Sequence, residues 1–330
     1  MTDTVLVTGA TGFVGSAVAR RLLEHGYQVR ALVRESSRLD NLRGLDVELM
    51  VGDLRAPDSL ERALKGCDGM FHIAADYRLW ARRPHEIYAS NLRGSRNAIL
   101  AAARAGVGRI VYTSSVATLG LHADGSPADE DTPVAAADMI GHYKRSKFLA
   151  EQKVRKLADK EGLDVVTVNP SAPVGPRDIK PTPTGRMILD AARGRMPAFV
   201  DTGLNIVHVD DVAAGHVQAY EHGTRGRRYI LGGENMTLQD ILGAVSEVVE
   251  RKPPGLRLPH NVVMPVAYLA EGVAQITGRA PSLTVAGAKL AKKKMFFSHA
   301  RADRELGYQP RPVKEAFVDA VQWFRGNGYF

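Results

Sequence analysis

The sequence predicts an α/β protein: a doubly wound parallel sheet with a smaller, mostly helical C-terminal substrate-binding region. Three observations predict it. Short apolar runs alternate with helical patterns through the first half of the 330 residues, as in a parallel sheet with crossover helices. The runs are apolar throughout, which fits strands buried on both faces. A glycine-rich turn, TGATGFVG, joins the first run to the first helical pattern.

In chain order the strands are TVLVTG (4–9), QVRALVR (28–34), VELMVGD (47–53), GMFHIA (69–74), RIVYTSS (109–115) and VVTVNPS (165–171). Helical stretches between them, VGSAVARRLLEHG and SNLRGSRNAILAAARAG, stop at Gly26 and Gly106, since glycine commonly follows a helix C-terminus. We divide the chain into a dinucleotide-binding domain, 1–170, and a substrate-binding region, 171–330. Within the latter, APVGPRDIKPTPTG carries four prolines and reads as a loop. The β-like segments NIVHVDD and RRYILGG suggest that 205–233 returns to the first sheet. Thr237 with Asp240 resembles a helix start, and PPG at 253–255 precedes a mostly helical tail.

Bulk properties narrow the function. Net charge is +8 with a pI near 9.6, a mild bias toward anionic ligands. The arginines are scattered, with no aromatic-interleaved basic motif, so a nucleic-acid partner is not expected. Cys67 is the single cysteine, which excludes an intrachain disulfide and a cysteine-rich metal site. Asn235-Met236-Thr237 matches a glycosylation sequon, but the N-terminus runs straight into a strand without a leader pattern. No apolar run approaches the roughly 20 residues of a membrane span. We expect a cytoplasmic protein.

Gly9, Gly12 and Gly15 stand between the first strand and first helix. Glycines there permit a tight turn and close approach to a pyrophosphate, which the helix N-terminus favours. The turn residues Thr11, Phe13 and Val14 share that position, so a dinucleotide is expected. A tight turn without a ligand is the bland alternative. Glu35 lies near where an acid would bind the ribose 2′-hydroxyl of NAD. Val33, however, suits the strand-terminal position, with Arg34 next and Arg38 close by. Guanidinium groups can bind a 2′-phosphate, so NADP is favoured, with NAD the alternative.

Tyr143 and Lys147 are four apart in a helical stretch and therefore share one face. An ammonium so placed could ease ionisation of a phenol. Together with the serines that end the fifth strand, the motifs TGATGFVG, GDL (52–54), HIAA (72–75), NLRGSRN (91–97), YKRSK and HVDD (208–211) resemble those of extended short-chain dehydrogenase/reductases. Within these the chain resembles the NAD-dependent epimerase/dehydratase group, whose nucleotide domain has the Rossmann fold. VRALVRE, VNPSAPVGP and RYILGGENMT look most like dihydroflavonol-reductase-like members. The whole-chain pattern is similar to bacterial proteins called hopanoid-associated sugar epimerases.

The resemblance implies that Tyr143 gives or takes a substrate proton, and that Lys147 lowers its pKa and holds the nicotinamide ribose. Ser115, placed five residues before Gly120 as in the family pattern, would bind the reacting oxygen in preference to Ser114. Asp53 and Leu54 would contact adenine. Ala74 and Ala75 would line the cofactor, and Asn169-Pro170-Ser171 would lie near the nicotinamide. Asn91 would support the active-site helix, or be a polar helix residue only. His208, Asp210 and Asp211 read as a strand exit and helix cap, and no metal is expected. The resemblance also implies a homodimer.

Related sugar dehydratases carry an Asp-Glu pair where this chain has Val116 and Ala117, so dehydration is not expected. Three activities stay open: an NADP-dependent carbonyl reductase, a sugar epimerase with retained NAD acting on a nucleotide- or lipid-linked substrate, and a non-catalytic NADP sensor. The small-molecule substrate would be chosen by 76–90, 116–142 and 171–204. Lys289, Lys292, Lys293 and Lys294 beside Met295, Phe296 and Phe297 could touch a membrane surface; a solvated lysine face ending in core aromatics is the favoured reading.

Overall fold

A computed structural model describes residues 3–281 and 283–330. Its centre is a seven-stranded parallel sheet. Six of the strands are β1 (Thr4–Thr8), β2 (Gln28–Val33), β3 (Val47–Val51), β4 (Gly69–His72), β5 (Arg109–Thr113) and β6 (Val165–Pro170). Their spatial order is β6-β5-β4-β1-β2-β3, with strand Arg228–Leu231 added beside β6. In the strands inside the edge strand β3, which is largely exposed, residues alternate between two buried faces. Val5 and Val7 of β1 join α1 (Phe13–Glu24) and helix Val209–His222 in one core. Leu6 points to the other core, with helices Pro57–Leu64, Gly94–Ala105 and Gly141–Glu161. That two-sided burial explains why the strands lack polar alternation.

After β1 the chain builds β2 and β3, then returns to place β4 on the other flank of β1. The crevice at such a reversal, beyond the carboxyl ends of the strands, is where open α/β sheets bind ligands.

The returning segment 205–233 divides between two sheets. Arg228–Leu231 takes the edge beside β6, and Leu231 O accepts the Ser171 N–H. With that edge filled, strand Gly203–His208 centres a second sheet, between Glu234–Thr237 and the parallel strands Ala172–Val174 and Lys294–Met295. The C-terminal region is mostly helical, as expected, with this small sheet set among the helices. Its core joins helices Pro183–Ala192, Leu238–Val248 and Val313–Gly326 through Ile188, Ile241 and Phe317. Thr237 and Asp240 cap the second of these reciprocally. Phe297 is buried and Phe296 packs on Gly203, so the aromatics after the lysine run belong to the interior.

Two histidines, one in β4 and one on helix Val209–His222 against β5, are buried as neutral groups. His72 lies between Thr8 Oγ1 at 2.8 Å and Ser95 Oγ at 3.0 Å. His216 lies between Thr113 Oγ1 at 2.8 Å and the Val212 carbonyl at 2.7 Å. Burial lowers their pKa values to about 3 and about 4. Below about pH 6.5 the unfolded chain takes up protons that the folded one refuses. Stability is therefore complete above that pH and falls on acidification, by about 1.4 kcal/mol per pH unit per histidine. Urea unfolding at pH 7.5 and pH 5.5 checks this. A midpoint unchanged between them would show that other groups cancel these two.

Candidate active site

The glycine turn leaves no room for side chains. Gly9 has φ +75°, and a Cβ there would stand 2.8 Å from the Ala74 backbone. A Cβ on Gly15 would stand 2.0 Å from the Gly9 carbonyl oxygen. The turn thus brings β1 against the exit of β4, where Thr8 Oγ1 also accepts the N–H groups of Ile73 and Ala74. Gly12 is the N-cap of α1 and supplies no side-chain cap, and the first turn holds no acid. The first-turn N–H groups of Phe13, Val14 and Gly15 have no intrahelical acceptor, and Thr11 closes the turn with its carbonyl on Asn41 Nδ2. This cradle fits a pyrophosphate.

Further along the sheet edge, β2 ends at Val33 and leaves Arg34 and Glu35 exposed. Arg38 is held on Asp40 at 2.9 Å. Asp53 is paired with Arg55 at 2.7 Å, which lowers its pKa, with a smaller contribution from Arg34. Leu54 packs against Gly94, and Ala75 is exposed beyond Ala74. At the end of β6, buried Pro170 separates Asn169 from Ser171, whose Oδ1 and Oγ respectively are buried without a hydrogen-bond partner. Such orphaned groups fit a site completed by a ligand.

The two serines after β5 have separate tasks. Ser114 is buried and donates to Glu151 Oε2 at 2.5 Å. Ser115 caps the short turn Val116–Thr118, accepting the Ala117 N–H at 3.1 Å. Its hydroxyl also lies near Tyr143: burial raises the phenol's pKa and Ser115 partly offsets this. The structure therefore brings Ser115 and Tyr143 together. Lys147 is buried beneath them, donating from Nζ to the Thr113 carbonyl at 2.8 Å, with the ammonium 5.2 Å from the centre of the Tyr112 ring. Desolvation lowers its pKa to about 8, against the opposing pull of Glu151. In the chain alone the shift of the phenol is set by burial and Ser115. Burial dominates, and the phenol stays protonated.

Asn91 fixes this arrangement to the loop after β4. It sits in a π-helical turn, Ala89–Arg93, accepts the Asp76 N–H at 2.7 Å, and donates to the Asp76 carbonyl and to Ser146 Oγ, each at 2.9 Å. Ser146 in turn donates to the Tyr143 carbonyl at 2.7 Å. His208 caps helix Val209–His222 through the Asp210 N–H and also meets Asp319, while Asp211 holds Arg311. These residues are architectural. Cys67 is buried before β4 against Arg30, which places it away from Tyr143.

Two residues escaped the sequence reading. Glu151 accepts bonds from Ser114, Thr118 at 2.8 Å and Asn169 at 3.2 Å, and pairs with Arg228 at 3.4 Å. Its signal was present: it stands four residues beyond Lys147, which stands four beyond Tyr143, so all three share a helix face. Arg177 adopts φ +75°, rare for a residue other than glycine. Its carbonyl accepts from Asn41, which also binds the turn at Thr11, and its guanidinium pairs with Asp210. No local pattern announced it.

A glycine cradle at the sheet reversal, with a protonated phenol beside a serine and a buried lysine, defines a nicotinamide-dependent oxidoreductase. The family model described as the NAD dependent epimerase/dehydratase family matches residues 5–232, and the chain belongs to that family. It is an NAD(P)-dependent enzyme of that extended short-chain type. A Synechocystis protein carrying the provisional name dihydroflavonol 4-reductase is 47% identical, over 100% of this chain and 96% of its own length. The crystal structure of gox2253 superposes with a TM-score of 0.90 at 54% identity, covering 99% of each chain. PA4631, described as a nucleoside-diphosphate-sugar epimerase from Pseudomonas aeruginosa, superposes at 0.84 with 27% identity over 100% of both chains.

Replacing Glu151 tests the buried network. Glu151→Ala leaves Ser114, Thr118 and Arg228 without their acceptor, and is expected to cost about 3 kcal/mol of unfolding free energy. A loss below about 0.5 kcal/mol in denaturant titration would place the carboxylate outside the framework.

Proposed function

We propose that the enzyme reduces a carbonyl group of a small-molecule substrate, with NADPH as the preferred cofactor. The observation that carries this reading is the Tyr143 phenol placed beside Ser115, with Lys147 buried on the same helix face. A reduction needs a proton donor at the oxygen that becomes an alcohol.

Ser115 Oγ and the Tyr143 hydroxyl would hold the carbonyl oxygen from two sides and polarise it. When bound, the nicotinamide nucleotide supplies a hydride to the carbonyl carbon. As negative charge builds on the oxygen, Tyr143 delivers its proton and becomes a phenolate. Lys147, still ammonium at neutral pH, would stabilise that phenolate from the same helix face until solvent returns the proton. Gly9, Gly12 and Gly15 with the N–H groups of Phe13 and Val14 would receive the pyrophosphate, aided by Thr11. Asp53 and Leu54 would border the adenine. Ala74, Ala75 and Pro170 would line the path to the nicotinamide.

Arg34, exposed at the end of β2 and near Asp53, would bind the 2′-phosphate. Arg38 would need to leave Asp40 to join it. The reductase-named Synechocystis relative supports net reduction. The likeness to PA4631 supports the second reading, a sugar epimerase that retains NAD.

Denaturing the purified protein and identifying any released nucleotide separates the two. The reductase reading expects an empty protein that binds NADPH better than NADH, whereas retained NAD would overturn it. In the same titration Arg34→Ser is expected to weaken NADPH binding roughly 10- to 100-fold and leave NADH unaffected. Equal losses for both nucleotides would remove the 2′-phosphate role.

A further inference from the structure

Helix His260–Thr277 presents its large apolar residues outward. Only Ala267 and Ala274 are buried in it, whereas Leu269 is 73% and Ile276 84% exposed. A surface helix ordinarily does the reverse. Val262, Val266, Leu269, Val273 and Ile276, all exposed, follow one another at alternating intervals of four and three. They form one stripe about 21 Å long at 1.5 Å per residue. A contiguous exposed patch of this kind marks an interaction surface.

Cations outnumber acids at both ends of the stripe. Glu271, the single acid of the helix, is turned inward to accept the Val285 N–H at 2.8 Å. At the C-terminal end of the helix, Arg82 and Arg83 share a groove with Arg78, Glu86, Gly278 and Ala280, and Arg279 is exposed beside them. Among the described residues, none of Arg82, Arg83 and Arg279 is paired with a carboxylate, whereas neighbouring Arg78 is held by Asp76 and Glu86. Beyond the N-terminal end stand exposed Leu256, Lys252 and Arg257, the last paired with Asp201.

We propose that helix His260–Thr277 lies in the plane of an anionic lipid surface and docks the enzyme there. Apolar side chains along one face with cations at its ends are what such a surface binds. A second copy of this chain fits less well. Either relative direction of two such helices sets cationic ends against each other, with no carboxylate on the face to answer them. The lysine run at 289–294 adds positive charge after helix Val285–Leu290, which packs on this one. Its aromatics, in contrast, turn inward.

Flotation of the full-length protein with phosphatidylcholine vesicles, with and without phosphatidylglycerol, tests the proposal without any turnover assay. It therefore stands or falls apart from the choice of substrate. The wild type is expected to float with the phosphatidylglycerol vesicles. The exposed double variant L269S/I276S and the triple variant R82Q/R83Q/R279Q are each expected to bind at least about tenfold less with unchanged thermal midpoints. No binding by the wild type, or binding that survives both sets of changes, would overturn the proposal. So would self-association in sedimentation velocity that L269S/I276S abolishes while vesicles are ignored, which would give the face to a second copy.

Discussion

The site depends on keeping a lysine charged where water does not reach. Lys147 sits under the sheet's carboxyl edge, and a buried ammonium is tolerated only with compensation. Three groups provide it here: the Thr113 carbonyl, the face of Tyr112 and the field of Glu151. The carbonyl comes from the strand that also delivers Ser115, and the carboxylate from the helix that also delivers Tyr143. Compensating the lysine therefore fixes the relative position of the two elements that form the reaction centre.

Glu151 carries that constraint into the rest of the fold. It receives Ser114 from the turn after β5, Asn169 from the end of β6 and Arg228 from the edge strand. Asn169 also donates to the Ser115 carbonyl at 3.0 Å. One carboxylate thus joins the last three strands of the sheet to the active-site helix. Ser114 is spent on this framework, which leaves Ser115 as the hydroxyl available to a ligand. Asn91 performs the corresponding task on the other side, tying Tyr143 to the loop after β4.

Local chemistry was legible in the sequence, and long-range compensation was not. The glycine turn could be read because steric exclusion acts between neighbours: Gly9 and Gly15 meet within one turn. Tyr143 and Lys147 could be read because helix geometry alone puts them on one face. The six strands of the first half were legible from their apolar runs, buried on both sides except in the edge strand β3. Segment 205–208 was not, because an apolar run does not say which sheet receives it; that was decided by Arg228–Leu231 occupying the edge beside β6. Spacing also shows that an ammonium is near Tyr143, but not that one of its three N–H donors is engaged by the Thr113 carbonyl from another element. The outward stripe of His260–Thr277 was equally hidden, since apolar periodicity ordinarily marks the buried side.

The most direct test is to titrate the Lys147 ammonium by NMR in the wild type and in Glu151→Gln, which keeps an acceptor but removes the charge. The wild-type lysine is expected to titrate near pH 8 and the variant lower still, because desolvation is then opposed only by the Thr113 carbonyl and the Tyr112 ring. A Lys147 that titrates at an ordinary lysine value, about 10.4, and ignores the loss of Glu151 would show that it is solvated. The compensation on which the site is built would then be absent.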